Sequence, residues 1–314
     1  MNMPVTTTDT IDRVVLVRSA ELRRTREGAP FLRMTLGDRS HSFPAVLWDA
    51  DDDAVTAAHQ GAAVRVIGRL ADHPRYGRQL KVEALRVPTD DEIDWDELVD
   101  GPVRPAPELE RDLDTLVESV DNPHLAALLG RILAADTPSG RRYREIPAAK
   151  FNHHAYRCGL LEHCVGIAQL VSAAAAVFPG IDRDLAVTGA LLHDIGKLEA
   201  YDGLNGCADL TDAGKLEGEI PLGYYRVRRE MESIAGFPPE LARALLHVIL
   251  AHHGCLEHGS PVAPGTREAT LVHAIDELSG QLGAFDRLEK ETAPGERWSR
   301  YDRALAGSAF LGDR

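Results

Sequence analysis

The 314-residue chain is long enough for two domains with cores of their own, and its 44% hydrophobic and 27% charged residues are ordinary for a globular protein. The net charge of −14 argues against a general nucleic-acid binder, and four cysteines without CxxC spacing (Cys158, Cys164, Cys207, Cys255) exclude a disulfide scaffold and fit a reducing cytoplasm. No apolar run reads as long enough to span a bilayer, so no membrane is expected, and polar residues 1–10 read as a flexible N-terminus rather than a signal peptide. The charge is unevenly spread: residues 11–88 carry 13 Lys+Arg against 10 Asp+Glu, a net of +3, which leaves −17 for the rest.

Residues 11–88 are strand-like. Arg13–Ala20, Phe31–Leu36, Phe43–Trp48, Val64–Leu70 and Gln79–Val87 show alternating or β-branched apolar residues, separated by turn signals such as Glu27-Gly28, Gly37-Asp38, His73-Pro74 and Tyr76-Gly77. A short helix is predicted over Asp51–Gln60. Five short strands with a helix after the third fit a small Greek-key barrel, the OB-fold. Residues 89–107, acidic and then Pro-rich, read as a linker. From Glu108 the periodicity is helical, which predicts an all-α bundle over 108–290 with its core at 145–290, then a loose tail over 291–314. The fold class is therefore multidomain, an all-β barrel followed by a helical bundle.

The helical part concentrates histidine. His163 lies on an apolar stripe; His193-Asp194 ends the run Leu191 to Lys197; His252-His253 closes a third helix; His273 and Asp276 share one face of a fourth. Taken singly, each has an ordinary structural role: a hydrogen-bonded core imidazole, a helix C-terminus, half of an ion pair. Together they put imidazoles and carboxylates on four helices at apolar positions, where an unpartnered carboxylate is costly. That donor set suits Mn²⁺, Fe²⁺, Zn²⁺ or Co²⁺ better than Ca²⁺.

His163, His193-Asp194 and Asp276 resemble the H…HD…D ligand set of the HD phosphohydrolase superfamily. The phrases Asn152-His153-His154-Ala155-Tyr156, Gly159-Leu160-Leu161-Glu162-His163, Leu191 to Lys197 and Ile249-Leu250-Ala251-His252-His253-Gly254 resemble the YhaM-type 3′–5′ exoribonucleases, which also carry an N-terminal OB-fold. The resemblance covers roughly 11–88 and 145–290. It implies an HD domain that is a metal-dependent 3′–5′ exoribonuclease, releasing nucleoside 5′-monophosphates from single-stranded RNA or DNA. It implies one or two divalent ions, Mn²⁺ first and Co²⁺, Fe²⁺, Mg²⁺ or Zn²⁺ as alternatives. His163, His193, Asp194 and Asp276 would hold the first ion, and His252 and His253 would complete a second site or contact phosphate. Lys197 would neutralise the scissile phosphate, and Asp194 would hold the nucleophile. Glu219 stands where the family usually has a histidine; it either supplies an oxygen ligand or faces water. On the barrel, Arg33, Arg65, Arg69, Arg78 and Lys81, with Arg18, are candidate phosphate contacts and Tyr76 the candidate stacking residue, while Phe43 and Trp48 read as core. Two rival readings are an HD-type small-nucleotide phosphohydrolase and a nucleic-acid-binding regulatory protein with a degenerate site; a homo-oligomer is left open.

Overall fold

A computed structural model describes residues 10–312, except 26, 40, 41, 74–76, 100, 150–153, 204–207, 293 and 294. The chain divides into two compact units near residues 101 and 102.

The first unit is a closed five-stranded barrel, β1 (Thr10–Arg24), β2 (Pro30–Gly37), β3 (Ser42–Trp48), β4 (Ala63–His73) and β5 (Gly77–Arg86), in the order β1-β2-β3-β5-β4. All pairings are antiparallel except β3 with β5, and helix α1 (Asp52–Ala57) lies between β3 and β4, as an OB-fold requires. Strand alternation drives closure: Val15, Val17, Leu32, Met34, Leu36, Leu47, Val64, Val66, Leu80 and Val82 all turn inward into one core. Irregularities at Val17/Ser19 in β1 and Ile67/Gly68 in β4 let the strands bend. A Cβ at Gly68 would lie 2.4 Å from the Lys81 carbonyl oxygen, so only glycine allows β4 and β5 to approach there.

The acidic segment expected as linker is partly folded. Leu98 and Val99, around the one-turn helix α2 (Trp95–Leu98), bury against Leu16, with Ile93 and Trp95 packed alongside. Its apolar residues are what the charge run concealed.

The second unit is helical: α3 (Ala106–Glu118), α4 (Pro123–Leu133), α5 (Pro138–Glu145), α6 (Gly159–Val177), α7 (Arg183–Leu192), α8 (Lys197–Ala200), α9 (Asp212–Leu216), α10 (Glu219–Glu232), α11 (Pro239–Ala251) and α12 (Arg267–Glu291). Two-residue strands β6 (Tyr201–Asp202) and β7 (Asp209–Leu210) form a small ladder. One continuous core takes residues from α3 to α7 and from α10 to α12, and each fully buried leucine there, such as Leu128 or Leu160, contributes about 1.5–3 kcal/mol. Side-chain caps open several helices; Asn122 accepts from His124 and Leu125 N–H, Asp182 from Leu185, and Thr266 from Ala269.

Two expectations need correction. Helix α6, with its alanine-rich run, is long and apolar enough to cross a membrane by length and composition; here it is a core helix, with His163, Cys164 and Ile167 among its buried residues. Cys158 caps α6 with φ 65°, a left-handed conformation unfavourable for a side chain. Cys158→Gly is therefore expected to stabilise the chain by about 1 kcal/mol, read as a rise in thermal midpoint of about 2–4 °C. Finally, the tail over 291–314 contains a hairpin, β8 (Trp298–Asp302) and β9 (Gly307–Phe310), held to α12 by Arg287–Asp302 at 2.6 Å.

Candidate metal centre and nucleic-acid interface

The His-Asp pair sits just past a helix rather than inside it. Helix α7 stops at Leu192, His193 is its C-cap, and Asp194 lies in the tight turn leading to α8. The last carbonyls of a helix lack partners, and His193 folds back to donate from Nδ1 to Ala190 O at 2.7 Å. His252 ends α11 in the same way, donating from Nδ1 to Ile249 O at 2.7 Å. A carbonyl can only accept, so both rings carry their proton on Nδ1 and present the Nε2 lone pair to the cavity. His253 follows suit, its Nδ1 on His258 O at 2.9 Å.

These rings converge on two carboxylates. Nε2 of His163, on α6, lies 3.2 Å from His193 Nε2, 3.3 Å from Asp194 Oδ2 and 3.3 Å from Asp276 Oδ1 on α12. His193 Nε2 is 3.4 Å from Asp194 Oδ2. A second group shares Asp194: its Oδ1 faces His252 Nε2 at 3.6 Å, and His253 Nε2 faces Glu219 Oε1 at 3.3 Å. Asp194 is 2% exposed, and Lys197 Nζ reaches its Oδ2 at 2.6 Å. Among the described residues, neither Asp194 Oδ1 nor His252 Nε2 has a hydrogen-bond partner, although both are buried.

The charges fit this picture. Burial opposes a charged Asp194, yet the Lys197 ammonium and the His193 ring hold its carboxyl well below the ordinary range. Asp276 is likewise lowered against burial, by the hydrogen bond from His163 and the neighbouring rings. Burial pushes His163 down, but Asp194 and Asp276 raise it to about 9. Lys197 is raised against burial by Asp194 and Glu219, so it stays cationic. The cluster thus attracts positive charge to its centre. Donors about 2.1 Å from one ion sit roughly 3.0–3.4 Å from each other, close to the separations found here. Two orphaned buried donors facing each other across such a gap fit a divalent cation better than they fit a dry core.

Packing sets these positions. Gly196 lies against the first turn of α10, where a Cβ would meet Glu219 O at 1.9 Å, and this brings Glu219 beside the centre. Gly254, at φ +83°, leaves room for the His273 ring, which donates from Nδ1 to His252 O at 2.8 Å. His273 is therefore a support and not part of either donor group. The sequence reading gave no role to His154, Tyr156, Glu162 or Tyr143. His154, at φ 59°, lies with its ring 5.4 Å from that of His163, and its Nδ1 is 2.9 Å from Tyr156 Oη, which donates to Glu162. Buried Tyr143 donates to Leu191 O at 2.9 Å, steadying the turn that carries His193. Only the phrase around His154 hinted at this layer; Tyr143 has no signal in sequence.

On the barrel, register carries one row across the outer face: Arg69 beside Lys81, Lys81 beside Val46, Val46 beside Arg33, and Arg33 beside Glu21. Arg33, Lys81 and Arg69 are exposed. Phe31 and Trp48 form a cross-strand pair with centroids 4.8 Å apart, and Trp48 is 45% exposed, so it is a surface ring and not core. Phe43 does pack against the core. Arg65 is committed to Asp12 at 2.8 Å and Glu92 at 2.7 Å, and Arg18 donates to Asp38 O at 3.1 Å; neither presents its head to a ligand. Tyr76 and the side chain of Arg78 lie outside the described residues.

The comparisons agree with this geometry. The HD domain family model matches residues 160–281, a span that holds every candidate metal ligand named above. The 3′–5′ exoribonuclease YhaM of Bacillus subtilis (strain 168) is 32% identical over 292 residues, covering 92% of this chain and 91% of that protein. This chain belongs to the YhaM 3′–5′ exoribonuclease family. The relative of that name from Halalkalibacterium halodurans is 30% identical over 306 residues, covering 96% of this chain and 92% of its own length. A Thermus aquaticus single-stranded DNA binding protein aligns at 22% identity and TM-score 0.23 over 31% of this chain and 44% of its own; the barrel's assignment rests on its own strand order. Membership in the YhaM family makes the chain a hydrolytic enzyme that carries a divalent-metal HD site and, earlier in the sequence, an OB-fold barrel.

Proposed function

We propose that the chain removes nucleotides one at a time from the 3′ end of single-stranded RNA, releasing nucleoside 5′-monophosphates, with Mn²⁺ the preferred ion. The observation that carries this reading is the pair of donor groups sharing Asp194, with Asp194 Oδ1 and His252 Nε2 buried, facing each other and without a hydrogen-bond partner among the described residues. His163, His193, Asp194 and Asp276 would hold one ion, and Asp194, Glu219, His252 and His253 a second; mixed imidazole and carboxylate donors suit Mn²⁺. Bound there, divalent ions supply an acidified water and neutralise charge on a phosphodiester.

The chain's own groups do the rest. Asp194 and Asp276, kept anionic, fix the place of the positive charge. Lys197 stays protonated and, beside Asp194, can meet a non-bridging phosphate oxygen as charge builds there. His253 is 28% exposed and its ring is fixed by His258 O, so its Nε2 lone pair is presented beside Glu219 Oε1 as a ligand for the second ion. The buried ring of His252 orients without meeting solvent. The barrel row of Arg33, Lys81 and Arg69, with Trp48 on Phe31, offers phosphate contacts and a stacking surface for an unpaired strand.

The test is product analysis on 5′-labelled single-stranded RNA with added Mn²⁺. Stepwise shortening from the 3′ end and release of 5′-monophosphates are expected. Internal cleavage, or faster turnover of free mononucleotides than of RNA, would replace this reading. For the barrel, Trp48→Ala should weaken binding of a 20-mer by about five- to fiftyfold while dinucleotide hydrolysis changes little; equal loss in both assays would make the ring structural.

A further inference from the structure

The hairpin β8–β9 has no part in the metal centre. Its pleat sorts its residues by face. Ser299 and Ala309 are buried, the Ser299 hydroxyl donating to Arg300 O and accepting from Ala309 N–H, both at 2.8 Å. Arg287 on α12 holds Asp302 at 2.6 Å, so the ribbon is fastened to the helix. Trp298, Tyr301 and Phe310 are instead 59%, 66% and 51% exposed. Trp298 and Phe310 are register partners with centroids 5.0 Å apart, and the Arg297 guanidinium stands 5.1 Å from the centroid of Phe310.

The run Arg297-Trp298-Ser299-Arg300-Tyr301-Asp302-Arg303 is rich in arginine within a chain of net charge −14. Rings interleaved with guanidiniums serve a single nucleic-acid strand, where bases stack and phosphates pair. A second copy docked through the same ribbon about a two-fold axis would set these arginines against themselves.

We propose that β8–β9 is an accessory binding ribbon for single-stranded nucleic acid, with bases stacking on Trp298, Phe310 and Tyr301 and phosphates meeting Arg297 and Arg300. Its place upstream of the 3′ end rests on the exoribonuclease reading; the binding surface does not. From Asp276 to Glu291 helix α12 advances roughly 22 Å, the span of a few extended nucleotides. A long strand reaches the ribbon and a dinucleotide does not.

The experiment uses the full chain, a fluorescein-labelled 20-mer of oligouridylate and anisotropy in EDTA, so that hydrolysis plays no part. Trp298→Ala and, in case that variant folds poorly, the charge variant Arg297→Gln/Arg300→Gln are compared with wild type. Each is expected to raise Kd about five- to tenfold while Mn²⁺-dependent hydrolysis of a uridine dinucleotide stays within about twofold. Unchanged Kd in both variants, or no binding by wild type, overturns the proposal. Unchanged Kd with a fall in assembly mass by sedimentation also overturns it and gives the ribbon to self-association. A raised Kd in a wild-type background that shows no RNA hydrolysis supports the ribbon and removes only the nuclease reading.

Discussion

Asp194→Ala is expected to lower RNA hydrolysis by about three orders of magnitude or more and to strip the chain of bound metal. Both donor groups lose their shared member: Oδ2 meets His163 and His193, and Oδ1 faces His252. The change also leaves the Lys197 ammonium, 13% exposed, without its 2.6 Å partner. Removing one half of a buried pair costs about 3–5 kcal/mol, so a lower thermal midpoint is expected as well. Asp194→Asn separates the two effects, since it keeps the volume and a polar oxygen while losing the charge. Elemental analysis, thermal melting and RNA decay are measured on both variants. Retained metal with more than about a tenth of wild-type activity would end the assignment of Asp194.

Gly196→Ala should act on the same centre from behind. A Cβ at this position would stand 1.9 Å from Glu219 O and 2.5 Å from Gly223 N, both backbone atoms that cannot rotate aside. The first turn of α10 must then move away from α8. Overpacking of this kind costs about 1–3 kcal/mol. Glu219 moves with its helix and loses its 3.3 Å approach to His253. The expected result is a folded but less stable chain that binds one ion fewer per molecule. A normal melt with full metal content would show that α10 does not position Glu219 as argued.

Much of this architecture is legible in sequence because period and donor chemistry are both strong there. The five strands follow from alternation, and the donors on α6, α7, α11 and α12 stand out as polar exceptions on apolar stripes. Other features depend on contacts that no local pattern carries. Whether Glu219 faces water or the centre is decided by the glycine contact between α8 and α10. The ring of Trp48 looks like core in an apolar strand, yet it points outward because β3 alternates in register with β2 and β5. Arg65 is cationic in sequence and spoken for in space, its partners Asp12 and Glu92 lying far off along the chain. The hairpin was hidden by a composition of Gly, Ser and Arg that reads as loose, although Ser299, Ala309 and Asp302 tie it down.

The two histidines that end α7 and α11 make the helix ends into rulers. Each ring is aimed by a bond to the carbonyl three residues back, so its direction is counted along the helix. One residue inserted within α7 or α11 would turn its histidine by about 100° and shift it by about 1.5 Å, out of reach of Asp194 and Asp276. Between Ser260 and Gly265 the chain is free of that count, since it holds no donor and precedes the cap of α12. Length variation among natural relatives should therefore gather in that loop and be missing from the two helices.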